Sequence, residues 1–158
     1  MRVQMGFRSL GDLPRLRDCK RRRASSWDRT GGNTDAWPFE KNEMKVLADI
    51  KGAGCIRHIW MTIGSNEEFH PRKCLLRMYW DGEREPSVEV PVGDFFGIGH
   101  GLFREFWSIP LTMSPRDGRA VNCFFPMPFA DGARIEFLNE CDSRLGLYFY
   151  IDYEEYST

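Results

Sequence analysis

Leu145-Gly146-Leu147-Tyr148-Phe149-Tyr150-Ile151-Asp152-Tyr153 decides the fold class. Leu145, Leu147, Phe149 and Ile151 alternate with Gly146, Tyr148, Tyr150 and Asp152. That two-residue period belongs to a half-buried β-strand and cannot be wound as an amphipathic helix. Just upstream, Ala133–Glu140 repeats the pattern, with Ala133, Ile135 and Phe137 against Arg134, Glu136 and Glu140. Cys55–Ile63 (CIRHIWMTI) is mostly apolar and reads as a central strand. Met44–Ile50 ends at the Lys51-Gly52-Ala53-Gly54 turn, and Lys73–Trp80 ends at Asp81-Gly82, a hairpin-type turn. Ser87–Val92 carries Pro91, which favours a sheet edge. Trp107–Met113 and Val121–Met127 complete the set.

The expectation is an all-β chain: a single jelly-roll β-sandwich of about eight mostly antiparallel strands. A short N-terminal helix and a long loop precede it. Leu10, Leu13 and Leu16 have helical spacing over residues 7–18. Residues 19–42 lack periodicity and read as a loop anchored by Trp27, Trp37 and Phe39. Residues 1–42 thus form a basic segment and motif loop, and 43–158 the jelly roll, within one compact unit.

Composition agrees. At 158 residues, 42% hydrophobic and 28% charged, the chain is long enough for a single core. Aromatic residues reach 14%, in keeping with a β domain. The net charge of −1 offers no field for nucleic acid or a membrane surface. It is unevenly spread: residues 1–23 carry +6, leaving −7 on the rest. The basic run therefore reads as a partner for the acidic body of its own or a neighbouring subunit. The five cysteines are widely spaced, with no C-x-x-C, so neither a disulfide framework nor a zinc site is expected. Cys55, Cys74 and Cys123 lie in apolar runs and read as core thiols. No secretory signal or membrane-spanning run is seen, so a cytoplasmic location is expected.

The densest polar constellation is Ser25–Trp37 (SSWDRTGGNTDAW). Carboxylates, an amide and a guanidinium can bond sugar hydroxyls, and tryptophan faces can stack on sugar C–H surfaces. A loop tied together by Asp and Arg is the structural alternative. Asp94 and His100 in Gly93–Gly101 are further polar candidates, beside aromatic packing under a tight loop. That stretch lacks the ending of a P-loop. His58 lies on a strand and reads as a satisfied core or interface residue. No metal or cofactor is expected.

Ser25–Asn33 followed by Asp35, Leu47–Thr62 (LADIKGAGCIRHIWMT), Tyr79–Gly82 (YWDG), Pro86–Gly97 (PSVEVPVGDFFG) and Asn122–Phe129 (NCFFPMPF) occur in one order. Together they resemble the N-terminal half of the domain of unknown function 2961 family, now glycoside hydrolase family 172. The resemblance runs from about Ser9 to Tyr153. It implies two jelly rolls per polypeptide, trimers or larger homo-oligomers, and retaining chemistry on α-fructofuranosyl or arabinofuranosyl linkages by paired glutamates. It also implies an active site near a subunit interface. The family's glutamates belong to the second half, in motifs of the Gly-Thr-Glu-Asp-Tyr-Phe type, and no such motif occurs here. No catalytic residue is therefore carried over. Asp28, Arg29, Asn33, Asp35 and Trp37, with Asp94 and His100, remain candidates for sugar binding or an interface. The expected partners are a furanoside, further copies as a trimer or hexamer, or a second jelly-roll polypeptide. The competing expectation is a non-catalytic, self-assembling or carbohydrate-binding jelly-roll module.

Overall fold

The computed structural model describes residues 16–115 and 119–157. Among the described residues twelve strands form two antiparallel sheets. They are β1 Lys20–Ser25, β2 Trp37–Phe39, β3 Met44–Lys51, β4 Gly54–Gly64, β5 Cys74–Trp80, β6 Val88–Pro91, β7 Phe106–Trp107, β8 Leu111–Met113, β9 Ala120–Cys123, β10 Met127–Phe129, β11 Gly132–Asn139 and β12 Leu145–Glu155. The small sheet has the order β3-β11-β5-β6. The large sheet runs β1-β12-β4-β9-β8-β7, with β2 also on β12 and β10 on β4. The order β2-β12-β4-β9 facing β3-β11-β5-β6 is that of an eight-stranded jelly roll. β1, β7, β8 and β10 extend it.

The core follows from the alternation. Ile59 and Met61 of β4 and Leu147, Phe149 and Ile151 of β12 are buried on the inner side of the large sheet. Leu76, Met78, Ile135 and Phe137 of the small sheet are equally buried and belong to the same cluster. Phe39 meets Phe137 with ring centroids 4.9 Å apart, which joins β2 to the opposite sheet. β6 is an edge strand, as Pro91 requires. Cys55, Cys74 and Cys123 are core thiols, and Cys141 joins them, its sulfur 3.9 Å from that of Cys74.

Three expectations need correction. Residues 19–42 are not simply a loop, because β1 and β2 lie within them. β2 is three residues long and contains Pro38, so it carries no readable period. β1 (KRRRAS) has no apolar face; it is held by main-chain pairing to β12 and by its charges. Arg23 lies 2.6 Å from Asp152, and Arg22 3.0 Å from Glu155. Glu154, only 1% exposed, sits 2.8 Å from Arg17 and 3.4 Å from Arg21. The described part of the basic run, Arg17, Arg21, Arg22 and Arg23, thus meets acidic residues of β12 in its own chain.

Trp107–Met113 is likewise two strands. Ser108 closes the turn between them, its N–H donating to the Leu111 carbonyl at 3.0 Å. Val121–Met127 breaks at Phe124–Pro126, where proline has no N–H for the ladder, and β10 then pairs with β4. The helix expected over residues 7–18 falls almost wholly outside the described residues.

Two tests follow from this packing. A Cβ on Gly54 would stand 2.4 Å from the Glu154 carbonyl oxygen and 2.6 Å from Phe129 Cζ. Gly54→Ala is therefore expected to destabilise the fold by about 1–3 kcal/mol or more, read as a lower urea midpoint at unchanged slope. His70 opens the short helix α1 (His70–Lys73), donates from Nδ1 to the Glu67 carbonyl at 3.0 Å, and has Nε2 buried without a partner among the described residues. Burial pushes its pKa below the ordinary value of 6.5. The unfolded chain therefore binds that proton first. The contribution is complete above about pH 6.5 and is lost as pH falls toward the depressed folded value. Urea midpoints measured from pH 7.5 to 5 should show this slope, and His70→Phe should flatten it.

Candidate functional site

The motif loop, residues 26–36, joins β1 to β2. Ser26 clamps its start to β12: its N–H donates to the Phe149 carbonyl at 3.2 Å, and its hydroxyl accepts from the Phe149 N–H at 3.1 Å. Asp28 Oδ1 accepts from the Thr30 N–H at 2.8 Å and the Thr30 hydroxyl at 2.7 Å. Its Oδ2 accepts from the Thr34 N–H at 3.0 Å. Asp35 Oδ1 in turn accepts from the Asp28 N–H at 2.7 Å. Asn33 holds a left-handed backbone at φ 59°, as this tight turn requires. A side chain at Gly32 would meet Asp28 Oδ2 at 2.9 Å.

Both carboxylates are thus used by the loop's own backbone. The Thr30 hydroxyl, followed by backbone N–H groups, holds the Asp28 carboxyl below the usual carboxylate range. Arg29 lies on the outside, its guanidinium 5.7 Å from the exposed Trp27 ring. Trp37 is a core anchor, edge-on to Phe149 at 5.1 Å.

Asp94 and His100 belong to another region. Asp94, in the short helix α2 (Val92–Phe95), is ion-paired with Arg72 after β4, and His100 is exposed at φ 59°. Beneath them Phe96 and Ile98 are buried, so aromatic packing under a tight loop describes this stretch. α2 contacts β5 and β6, whereas β1 contacts β3 at the other end of the small sheet. The seven candidates therefore divide between opposite edges of the sandwich.

The richest side-chain chemistry lies instead on the outer face of the large sheet. Arg23, His58, Trp60, Asn122, Tyr150 and Asp152 share that face by register. Arg23 Nε donates to Asp152 Oδ1 at 2.6 Å and Nη2 to Oδ2 at 3.1 Å. His58 Nδ1 lies 3.1 Å from Asp152 Oδ2, and its Nε2 2.9 Å from Asn122 Oδ1. Burial pushes the Asp152 carboxyl up, but hydrogen bonds from Arg23 and His58 outweigh it and hold the group below the ordinary range.

Aromatic stacking continues the row. His58 stacks on Phe124 at 4.6 Å and 6°, and Trp60 on Tyr150 at 4.8 Å and 27°. The Arg23 guanidinium covers the Tyr150 ring at 4.3 Å. Both His58 nitrogens have a polar partner within 3.1 Å, in keeping with its strand position. Trp60, Tyr150 and Asp152 are additions that the i, i+2 phase of β4 and β12 encodes.

These features meet a known pattern. The family model for the GH172 first beta-sandwich domain matches residues 17–158. The chain belongs to glycoside hydrolase family 172. The match covers both sheets and the motif loop, so the GH172 first sandwich is the whole of the described fold. No curated protein matches the chain. Among the described residues no helix is long and apolar enough to cross a membrane, and no group of three or more His, Cys, Asp or Glu side chains is arranged to hold a metal ion.

The His58 row makes a direct prediction. His58→Ala removes a partner from both Asp152 and Asn122 and a stacking face from Phe124, so stability is expected to fall by about 1–3 kcal/mol. Equilibrium urea unfolding checks this. A double variant with Asn122→Ala should show coupling, since the two side chains touch.

Proposed function

We propose that this GH172 sandwich is the scaffolding and assembly half of a furanoside-acting, retaining glycoside hydrolase. The catalytic carboxyl pair comes from elsewhere in the assembled enzyme. The observation that carries this reading is the use made of Asp28 and Asp35. A retaining enzyme needs one carboxylate free to attack the anomeric carbon and one carboxyl kept protonated to donate to the leaving oxygen, roughly 5–5.5 Å apart. Asp28 accepts three hydrogen bonds within its own loop and is shifted down, opposite to what an acid needs. Its role in the mechanism is to hold the shape of the loop. Arg29 and Trp27, on the outer side of that loop, are the groups available to a sugar or a neighbouring subunit.

The assembly part rests on one edge of the large sheet. The β7–β8 hairpin exposes Trp107 at 68% and Ile109 at 92%. Phe124 donates its N–H to the Pro110 carbonyl at 2.7 Å, which sets exposed Phe124 and Phe125 beside the hairpin. An apolar patch next to a short edge strand favours burial against another subunit. A further copy of this chain is the proposed partner. The same patch also supports a self-assembling module without activity.

Hydrolysis separates these readings. The purified chain is assayed on aryl α- and β-arabinofuranosides and fructofuranosides, alone and mixed with the second sandwich of a family 172 enzyme. No turnover alone and turnover in the mixture is the expected result. Turnover by the chain alone, lost in Asp28→Asn or Asp35→Asn, would overturn the assignment. Light scattering should give an oligomer that Ile109→Glu shifts to lower mass.

A further inference from the structure

The small sheet turns a groove of about 790 Å³ to solvent. That volume lies within the roughly 300–1,000 Å³ typical of ligand sites. Its floor is Asp49 and Lys51 of β3, Arg134 and Glu136 of β11, and Arg77 and Tyr79 of β5. We propose that this groove binds a neutral, polyhydroxylated chain: a saccharide segment running across the strands.

Three features build it. A bulge opposite Ile135/Glu136 breaks the β3–β11 register, and bulges bend a sheet and re-aim side chains. At that point Glu136 faces outward yet is only 3% exposed. It accepts from the Tyr79 hydroxyl at 3.0 Å and is ion-paired with Arg134, so an outward carboxylate locks two groove side chains in place. The end of the groove is closed by Asp81 and Gly82, at φ 53° and 80°. Asp81 Oδ1 accepts from the N–H groups of Ala130, Asp131 and Gly132 at 2.8, 2.7 and 3.2 Å, which ties that turn to the β10–β11 turn. Floor and rim are therefore both pre-organised, which lowers the ordering cost of binding.

Charge selects the occupant. Lys51 pairs with Asp49 at 2.7 Å, Arg77 with Glu89 at 2.6 Å, and Arg134 with Glu136. An anionic ligand would have to compete with these carboxylates. A neutral polyol uses what the pairs leave over, because a guanidinium has five N–H donors and a carboxylate about four lone-pair sites. The half-buried Tyr79 ring offers an apolar surface for sugar C–H groups, with Arg134 5.6 Å from its centroid. The choice of a saccharide rests on membership of a glycoside hydrolase family, and the choice of furanoside probes rests on the proposed function, but the groove does not rest on the assembly reading.

Backbone amide NMR tests the groove in the full chain, with α-1,5-arabino-oligosaccharides and inulin-type fructo-oligosaccharides as probes. Saturable shifts are expected at residues 49–51, 77–84 and 131–136. Tyr79→Phe should weaken binding about fivefold and Arg134→Gln about tenfold, while Trp60→Ala on the other sheet leaves it unchanged. Should Arg134→Gln fail to fold, Tyr79→Phe and Lys51→Gln decide. No saturable shift with either probe overturns the proposal. So do shifts centred on Trp27 or Trp60, or groove shifts that appear only on raising protein concentration, which would mean that a second copy fills it. Groove binding by a chain that neither assembles nor complements a second sandwich would overturn the proposed function and leave the groove standing.

Discussion

The pairing of β4 with β12 is the constraint on which the rest of the molecule depends. It runs from Gly54↔Glu155 to Gly64↔Gly146, interrupted by one bulge beside Asp152. β1 and β2 attach to the far side of β12, and β9 and β10 to the far side of β4. Loss of this ladder would leave two edges where the large sheet now has a centre. Its inner side supplies Ile59, Met61, Leu147, Phe149 and Ile151 to the core. Its outer side supplies His58, Trp60, Tyr150 and Asp152. Register couples the two faces, since a one-residue slip would bury the polar set and expose the apolar one.

Charge is handled by the same strand. Basic residues of β1 meet acidic residues of β12, Arg23 directly opposite Asp152 and Arg22 diagonally with Glu155. Exposed pairs such as Arg22 with Glu155 contribute about 0–1 kcal/mol each. They select register and partner more than they supply stability. Glu154 differs because it is buried, and three arginines, Arg17, Arg21 and Arg57, surround it with the Tyr156 hydroxyl. A charge removed from water needs that company. The positive charge of Arg17, Arg21, Arg22 and Arg23 is therefore met within the fold, at the edge of the large sheet.

Polar residues concentrated in one loop read as a site, and in this loop they are chiefly architecture. Asp28, Asn33 and Asp35 shape a turn around Gly31 and Gly32, leaving Arg29 and Trp27 outside. Hydrogen-bond geometry decides between the two roles, and residue types cannot: an aspartate that caps its own backbone and one that binds a sugar are written with the same letter. The motif's place in the family signature was legible; the use of its carboxylates was not. Glu136 shows the converse. It looks like an ordinary outward strand residue in Ala133–Glu140, and only the bulge beside it and the neighbours Tyr79 and Arg134 turn it into an anchor.

The sequence by itself determined the strands with a clear two-residue period, the central position of Cys55–Ile63, the edge position of Pro91, the core thiols and the family. These follow from local alternation, from missing N–H groups and from ordered motifs, all properties of neighbouring residues. The tertiary structure decided what β1 and β2 are, because a strand of arginines and a strand of three residues exist only through the ladder that receives them. It also decided which polar groups are free. Arg23, His58, Asn122 and Asp152 come from four strands, and Tyr79, Asp81, Arg134 and Glu136 from β5, the turn after it and β11, which are far apart in the chain. Their meeting depends on sheet order and register, which no local stretch of the chain contains.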